Sequence, residues 1–274
     1  MAMPVLPAMR RCRGVLLILL LSCLPAALRA QPACQPSLRI ALDEFGRYFS
    51  LDAANQMSGI DLEISKELAR RLHCQPEIRV ESVIRILKLA ELGQIDLAAH
   101  KFATEERARI AWLVPYLRQH NVMVIRKNGP APGMKAFVSQ PQWLLGAGKG
   151  WHYGSAVYDQ LADQLQSQGR LVLAADTVQL FAMLRANRVQ AIITSAPVYR
   201  AMLSAEELGQ YRLEDWDGNT QWPQLNLMLS RQTVDDALKT RIVTTLQEMR
   251  SDGTLRDIVQ KYVGPEEAAI MLKP

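Results

Sequence analysis

Two apolar stripes with a four-residue step, each leading into a short apolar run, constrain this chain more than any other feature. Ile60, Ile64, Leu68 and Leu72 fall on one face of a helix, with Asp61, Glu63, Lys66 and Glu67 mostly off it. Val83, Ile86, Leu87 and Ala90 repeat the pattern, and Gly93 suits the left-handed residue that ends a helix. Ile95–Ala99 then reads as a short buried strand, as do Leu38–Leu42 and Ile78–Val80 before it. Strands alternating with helices in this way mean a parallel sheet with covering helices.

The second half repeats the theme. Asn121–Ile125 reads as a strand, and the Gly/Pro-rich segment 126–133 reads as a boundary. Strands at Leu144–Ala147, Leu171–Ala174 and Ala191–Thr194 then alternate with a helix through Tyr158, Leu161 and Leu165 and another over Val178–Ala186. LRANRVQAII mirrors LAELGQIDLA as helix, turn and strand, so two similar lobes are expected to face each other across a cleft. Leu225–Leu229 is strand-like, Thr233–Arg250 is helical with Thr233 and Asp236 spaced as a capping box, and a last helix ends at Tyr262.

Composition narrows the function. The chain has 274 residues, 49% hydrophobic and 22% charged, enough for one or two domains with a proper core. At 6% aromatic and without a basic stripe, its net charge of +5 does not mark a nucleic-acid binder. Arg10, Arg11 and Arg13 precede the uncharged run Val15–Leu21 and the small residues around Ala26–Ala30. That order is a secretory signal peptide with cleavage expected after Ala30, too short in its apolar part to span a bilayer. A rival reading takes Leu20-Leu21-Ser22-Cys23 as a lipoprotein site with Cys23 lipidated. Export leaves Cys34 and Cys74, four residues before the first and second strands, where a disulfide would stabilise by about 3–4 kcal/mol.

The wording is also familiar. GIDLEISKELARRL, LAELGQIDLA and ATEERARIAWLVPY stand in order, and DGTLRDIVQKYVG follows near the end. Together they resemble family 3 periplasmic solute-binding proteins, the polar amino-acid receptors of ABC importers. The resemblance implies a bilobal α/β clamshell, two doubly wound sheets joined by a two-strand hinge. Residues 1–30 would be the signal, 37–124 plus 226–264 the first lobe, 125–225 the second, and 265–274 a tail. Hinge crossings are expected near 124–128 and 222–226.

The same resemblance places the ligand. Arg107, in the Thr-x-Glu-Arg position, would hold a carboxylate, a task suited to a guanidinium's two parallel donors; the alternative is a surface arginine paired with Glu105 or Glu106. His100 and Lys101 occupy positions that are small or hydroxylic in the amino-acid receptors. Ser195-Ala196-Pro197 stands where those receptors carry an Asp for the ligand ammonium, so an ordinary α-amino acid is in doubt. The glycine-rich turn from Gly148 to Gly154 contributes Lys149, Gly150, Trp151 and Tyr153, and the first loop contributes Phe45 or Tyr48 as a covering aromatic.

These residues imply a non-catalytic monomer that captures a small, anionic organic solute for an importer, with no cofactor, metal or nucleic acid. Four scattered histidines lack metal-ligand spacing, and no Gly-x-Ser-x-Gly elbow occurs. Two other readings stay open. One is an exported enzyme resembling cyclohexadienyl dehydratase, with Asp43 or Glu44 as the acid; the other is a ligand-sensing partner of a membrane signalling protein.

Overall fold

The computed structural model describes residues 1–2, 37–219 and 221–273. Cys12, Cys23, Cys34 and the whole expected leader processing region therefore lie outside the described residues. The first stretch comprises β1 (Ser37–Leu42), the hairpin β2 (Ser50–Leu51) and β3 (Met57–Ser58), α1 (Ile60–Arg71), β4 (Gln75–Val80) and α2 (Val83–Glu91). It continues with β5 (Leu97–Lys101), α3 (Glu105–Ile110) and β6 (Ala111–Arg118). The second comprises β7 (Asn121–Arg126), α4 (Met134–Val138), β8 (Leu145–Gly148), α5 (Ala156–Ser167), β9 (Leu171–Ala174) and α6 (Thr177–Arg185). It closes with β10 (Ala191–Ser195), α7 (Ala196–Met202), α8 (Ala205–Leu208) and β11 (Tyr211–Glu214). The chain then returns as β12 (Gln224–Ser230), α9 (Asp236–Ser251), α10 (Thr254–Val263) and α11 (Pro265–Met271).

Two five-stranded sheets result, ordered β4-β1-β5-β12-β6 and β9-β8-β10-β7-β11. Each has three parallel strands, then a returning strand antiparallel to both of its neighbours. This is the bilobal periplasmic-binding-protein architecture expected from the sequence. The α1 stripe is fully inside: Ile60, Ile64 and Leu68 are buried against the first sheet. C-terminal helices pack back on α1, where Arg71 reaches Asp252 and Thr254 and the Tyr262 hydroxyl donates to Glu63 at 2.5 Å.

Several boundaries differ from the sequence expectation. The first crossing falls at Gln119–His120 rather than 124–128, because β7 pairs along its length with β10 and β11. Helix α9 starts at Asp236, capped by Asp235, which accepts from Leu238 N at 2.8 Å; Thr233 instead donates to Ile95 O. Residues 265–271 form α11, whose Ala268 and Met271 are buried, so they are not a bare tail. β1 meets β4 with Ser37 opposite Gln75, placing Leu38 beside Pro76 instead of Ile78. Asp61, expected off the apolar face of α1, is buried.

Candidate functional site

The C-terminal ends of β1, β5, β8 and β10 face each other between the sheets, the position where open α/β folds bind ligands. They border a cavity of about 30 Å³. Asp43, Phe45, His100, Lys101, Phe102 and Arg107 line it from the first lobe. Trp151, His152, Tyr153 and Ile193 line it from the second, and Gln119 and Asn121 from the crossing between them.

Arg107 sits here because Thr104 caps α3, its hydroxyl accepting from Arg107 N at 3.2 Å, and turns the side chain inward. The guanidinium is 3% exposed and donates to two backbone carbonyls, Phe102 O at 2.8 Å and Gly150 O at 3.1 Å in the facing lobe. Burial draws its pKa down from the ordinary value, but a guanidinium keeps its proton. Among the described residues no carboxylate hydrogen-bonds it; Asp43, Glu106 and Asp159 favour its charged form only from a distance. Lys101, by contrast, is buried against Asp43 at 2.5 Å. On the cavity lining two cations, Lys101 and Arg107, therefore face one carboxylate, Asp43.

His100 turns β5 into the cavity with φ +59°, an uncommon conformation for a residue with a side chain. Its ring packs against Tyr48 at 4.0 Å and Phe45 at 4.7 Å between centroids. Burial, with Lys101 and Arg107 nearby, pushes its pKa well below the usual imidazole value, so the ring is neutral. Behind it, Asp61 accepts from the Tyr116 hydroxyl at 2.5 Å and lies 3.6 Å from His100 Nδ1. Burial raises the Asp61 carboxyl to about 7 against the lowering effects of Tyr116 and Lys101. The fully buried Tyr48 hydroxyl faces Ser195, and Gln119 faces His100, near enough to affect each other's acidity but outside hydrogen-bond geometry.

On the second lobe, Gly148 lets the Trp151 indole lie on the backbone, since a Cβ there would stand 2.1 Å from the ring. Trp151 meets Phe45 edge-on at 5.0 Å. Gly150, at φ +73°, brings its backbone against Ile84 of the first lobe, where a Cβ would be 2.5 Å away. Tyr153 is buried with an unpartnered hydroxyl, as are Thr194 and Ser195 at the end of β10. Lys149 is exposed and does not line the cavity.

The lobes touch directly: Arg47 N donates to Pro197 O at 3.1 Å and Thr177 Oγ1 to Glu44 O at 2.8 Å. Outside these contacts the cleft opens into a groove of about 370 Å³ bordered by Asp43, Glu44, Glu81 and Asp176. Burial and the nearby Asp176 charge raise the Glu44 pKa. Among the described residues no three His, Cys, Asp or Glu side chains gather as a metal site.

Sequence reasoning thus assembles Arg107, His100, Lys101, Phe45, Trp151 and Tyr153 around one cavity, with Tyr48 and Ser195 just behind its wall. It misses Gln119, Asn121, Phe102, His152 and Ile193. For Gln119 and Asn121 the signal was two amides flanking a chain crossing, where Gln119 Nε2 donates to Asn121 Oδ1 at 2.8 Å and Asn121 Nδ2 to Tyr153 O at 2.8 Å.

Comparison with known proteins places the chain in a family and agrees with its fold. The profile of bacterial extracellular solute-binding proteins, family 3, matches residues 38–265. A comparison of the sequence with curated proteins finds no match. Among solved structures, an ancestral arginine-binding protein bound to arginine has a TM-score of 0.71 at 21% identity, covering 84% of this chain and 100% of that one. The amino-acid ABC transporter substrate-binding protein of Streptococcus pneumoniae, bound to L-arginine, gives 0.68 at 22% identity, covering 86% and 97%. A histidine kinase sensor domain similar to periplasmic binding proteins gives 0.69 at 16% identity, covering 87% and 98%. At these identities the likeness is one of fold.

Proposed function

Because the chain belongs to the bacterial extracellular solute-binding proteins of family 3, we propose that it captures a small carboxylate-bearing solute outside the cytoplasm and delivers it to an ABC-type importer. One observation carries the carboxylate: the buried Arg107 guanidinium, held by two carbonyls and hydrogen-bonded by no described carboxylate. Leaving such a charge uncompensated is costly, and a ligand carboxylate meets it with two charge-assisted hydrogen bonds. Among the described residues no second-lobe carboxylate lines the cavity; Ser195 stands where the ammonium partner was expected, and Asp159 acts on Arg107 without lining it.

Function as a receptor rather than an enzyme belongs to the same reading. Asp43 is tied to Lys101, and Glu44 lies in the outer groove, so neither is a free acid poised in the inner cavity. Export with cleavage after Ala30 and a Cys34–Cys74 bridge complete it. Cys74 stands one residue before β4, beside β1 in the sheet, which supports that pairing.

Native mass spectrometry of gently purified protein, followed by calorimetry of the co-purified solute with Arg107→Ala, tests the reading. An acid whose affinity collapses in the variant supports it. Tight binding of an ordinary amino acid through its ammonium group, or turnover of the solute, would overturn it.

A further inference from the structure

Beyond the charge at Arg107, the cavity wall presents buried polar atoms without partners. Tyr153 and Gln119 line it, 4% and 2% exposed, with the Tyr153 hydroxyl and Gln119 Oε1 unpaired. Both His100 ring nitrogens lack a hydrogen bond as well. Such groups are rare in folded interiors and mark a place where something else completes the hydrogen bonding. Their chemistry is mixed. Gln119 Oε1 only accepts, neutral His100 has one donor and one acceptor, and a hydroxyl does both.

From this wall we infer that the solute is a compact monocarboxylate carrying a hydroxyl, and that the site selects a 2-hydroxy acid over the 2-amino acid of the same skeleton. The inference rests on carboxylate capture at Arg107 and specifies what the rest of the cavity selects. A ligand hydroxyl can donate to Gln119 Oε1 and accept from Tyr153 or His100, pairing atoms that an unsubstituted acid leaves bare. An ammonium group beside the carboxylate would be a third cation next to Arg107 and Lys101, whose Asp43 is already engaged. The one carboxylate on the described lining, Asp43, would then be shared by three cations. A second carboxylate would extend toward Glu44, Glu81 and Asp176 and be repelled.

The test uses the mature chain, freed of co-purified solute by unfolding and refolding, and isothermal calorimetry. Probes are 2-hydroxypropanoate, alanine and propanoate, the same trio with four- and five-carbon skeletons, and malate. At one chain length or more, the hydroxy acid should bind at least about tenfold more tightly than its amino and unsubstituted counterparts and than malate. Tyr153→Phe, checked for an unchanged melting transition, should shrink that preference while sparing affinity for the unsubstituted acid. Equal or tighter binding of the amino isostere, or no binding by any hydroxy acid, overturns the inference. If the co-purified solute is still an acid lost with Arg107→Ala, carboxylate capture survives and only hydroxyl selection fails. A solute indifferent to that substitution removes both.

Discussion

The two lobes build the same helix–turn–strand unit and end it in different chemistry. In the first, Gly93 at φ +64° closes α2, Gly93 N donating to Ala90 O and Gln94 N to Leu89 O. In the second, Asn187 at φ +56° closes α6 through the equivalent bonds to Leu184 O and Met183 O. Asp96 then reaches back to Arg39 N at 2.8 Å, as Gln190 reaches back to Leu144 N at 2.9 Å. Beyond those shared bonds the strands diverge: β5 runs into His100 and Lys101, β10 into Thr194 and Ser195. The first lobe therefore supplies the charge of the cleft and the second supplies neutral hydroxyls. Backbone geometry repeats because turns and registers tolerate many side chains, whereas ligand chemistry depends on the last two residues of each strand.

That division can be broken experimentally. Arg107→Ala should weaken binding of the co-purified solute by about 3 kcal/mol or more, roughly a hundredfold, because a buried charge pair is lost. Ser195→Ala should cost less than about tenfold by calorimetry, since one neutral hydroxyl is removed. If the serine change proves the larger, the assignment of charge to the first lobe and supporting contacts to the second is reversed.

Ionisation should likewise belong to the first lobe. Asp61 is raised to about 7 when folded and ionises near 4 when unfolded, so the folded state holds its proton across that interval. Its contribution is full below the unfolded value and is lost as pH rises toward 7. Relative to Asp61→Asn, the native protein should lose up to about 1.4 kcal/mol per pH unit between about pH 4 and 7 in denaturant melts. Thr194→Val should leave the pH profile parallel to wild type.

Smaller differences probe the shared scaffold. Asp96→Ala removes three hydrogen bonds from Arg39, one to its backbone and two to its guanidinium, and should destabilise by about 2–3 kcal/mol; Gln190→Ala should cost about 1. Equal losses in urea titrations would mean that the ion pair adds nothing to the register bond. At the turns, Gly93→Ala should destabilise by about 1–2 kcal/mol, having both a left-handed φ and a Cβ 3.0 Å from Gln232. Asn187→Gly should be neutral within about 0.5 kcal/mol, because asparagine, like glycine, adopts the left-handed conformation readily.

Periodicity made the elements legible wherever one face was apolar and the other polar. It failed for β6, whose AWLVPYLR lacks clean alternation because the strand pairs with β12 at an edge and packs under α9 and α11. It failed for Asp61, a carboxylate at a helix start that is solvated by default; here Tyr116, sixteen residues from His100 in sequence, comes back beside both. Arg107 was legible because a capping threonine and a fixed local turn set its direction within a few residues. Gln119 and Asn121 were not, since their role depends on where the chain crosses between lobes.

By itself the sequence determined the alternating elements, the repeated turn units and the family frame that places Arg107, His100 and Trp151 beyond strand ends, because these follow from local spacing and backbone preference. Tertiary structure alone decided the charge balance of the cleft. Whether Lys101 and Arg107 are both spent or one is left over depends on which carboxylates the fold brings within reach: Asp43 reaches Lys101, and no described carboxylate hydrogen-bonds Arg107. Electrostatic pairing acts through space over a few ångströms, and spacing along the chain does not encode it.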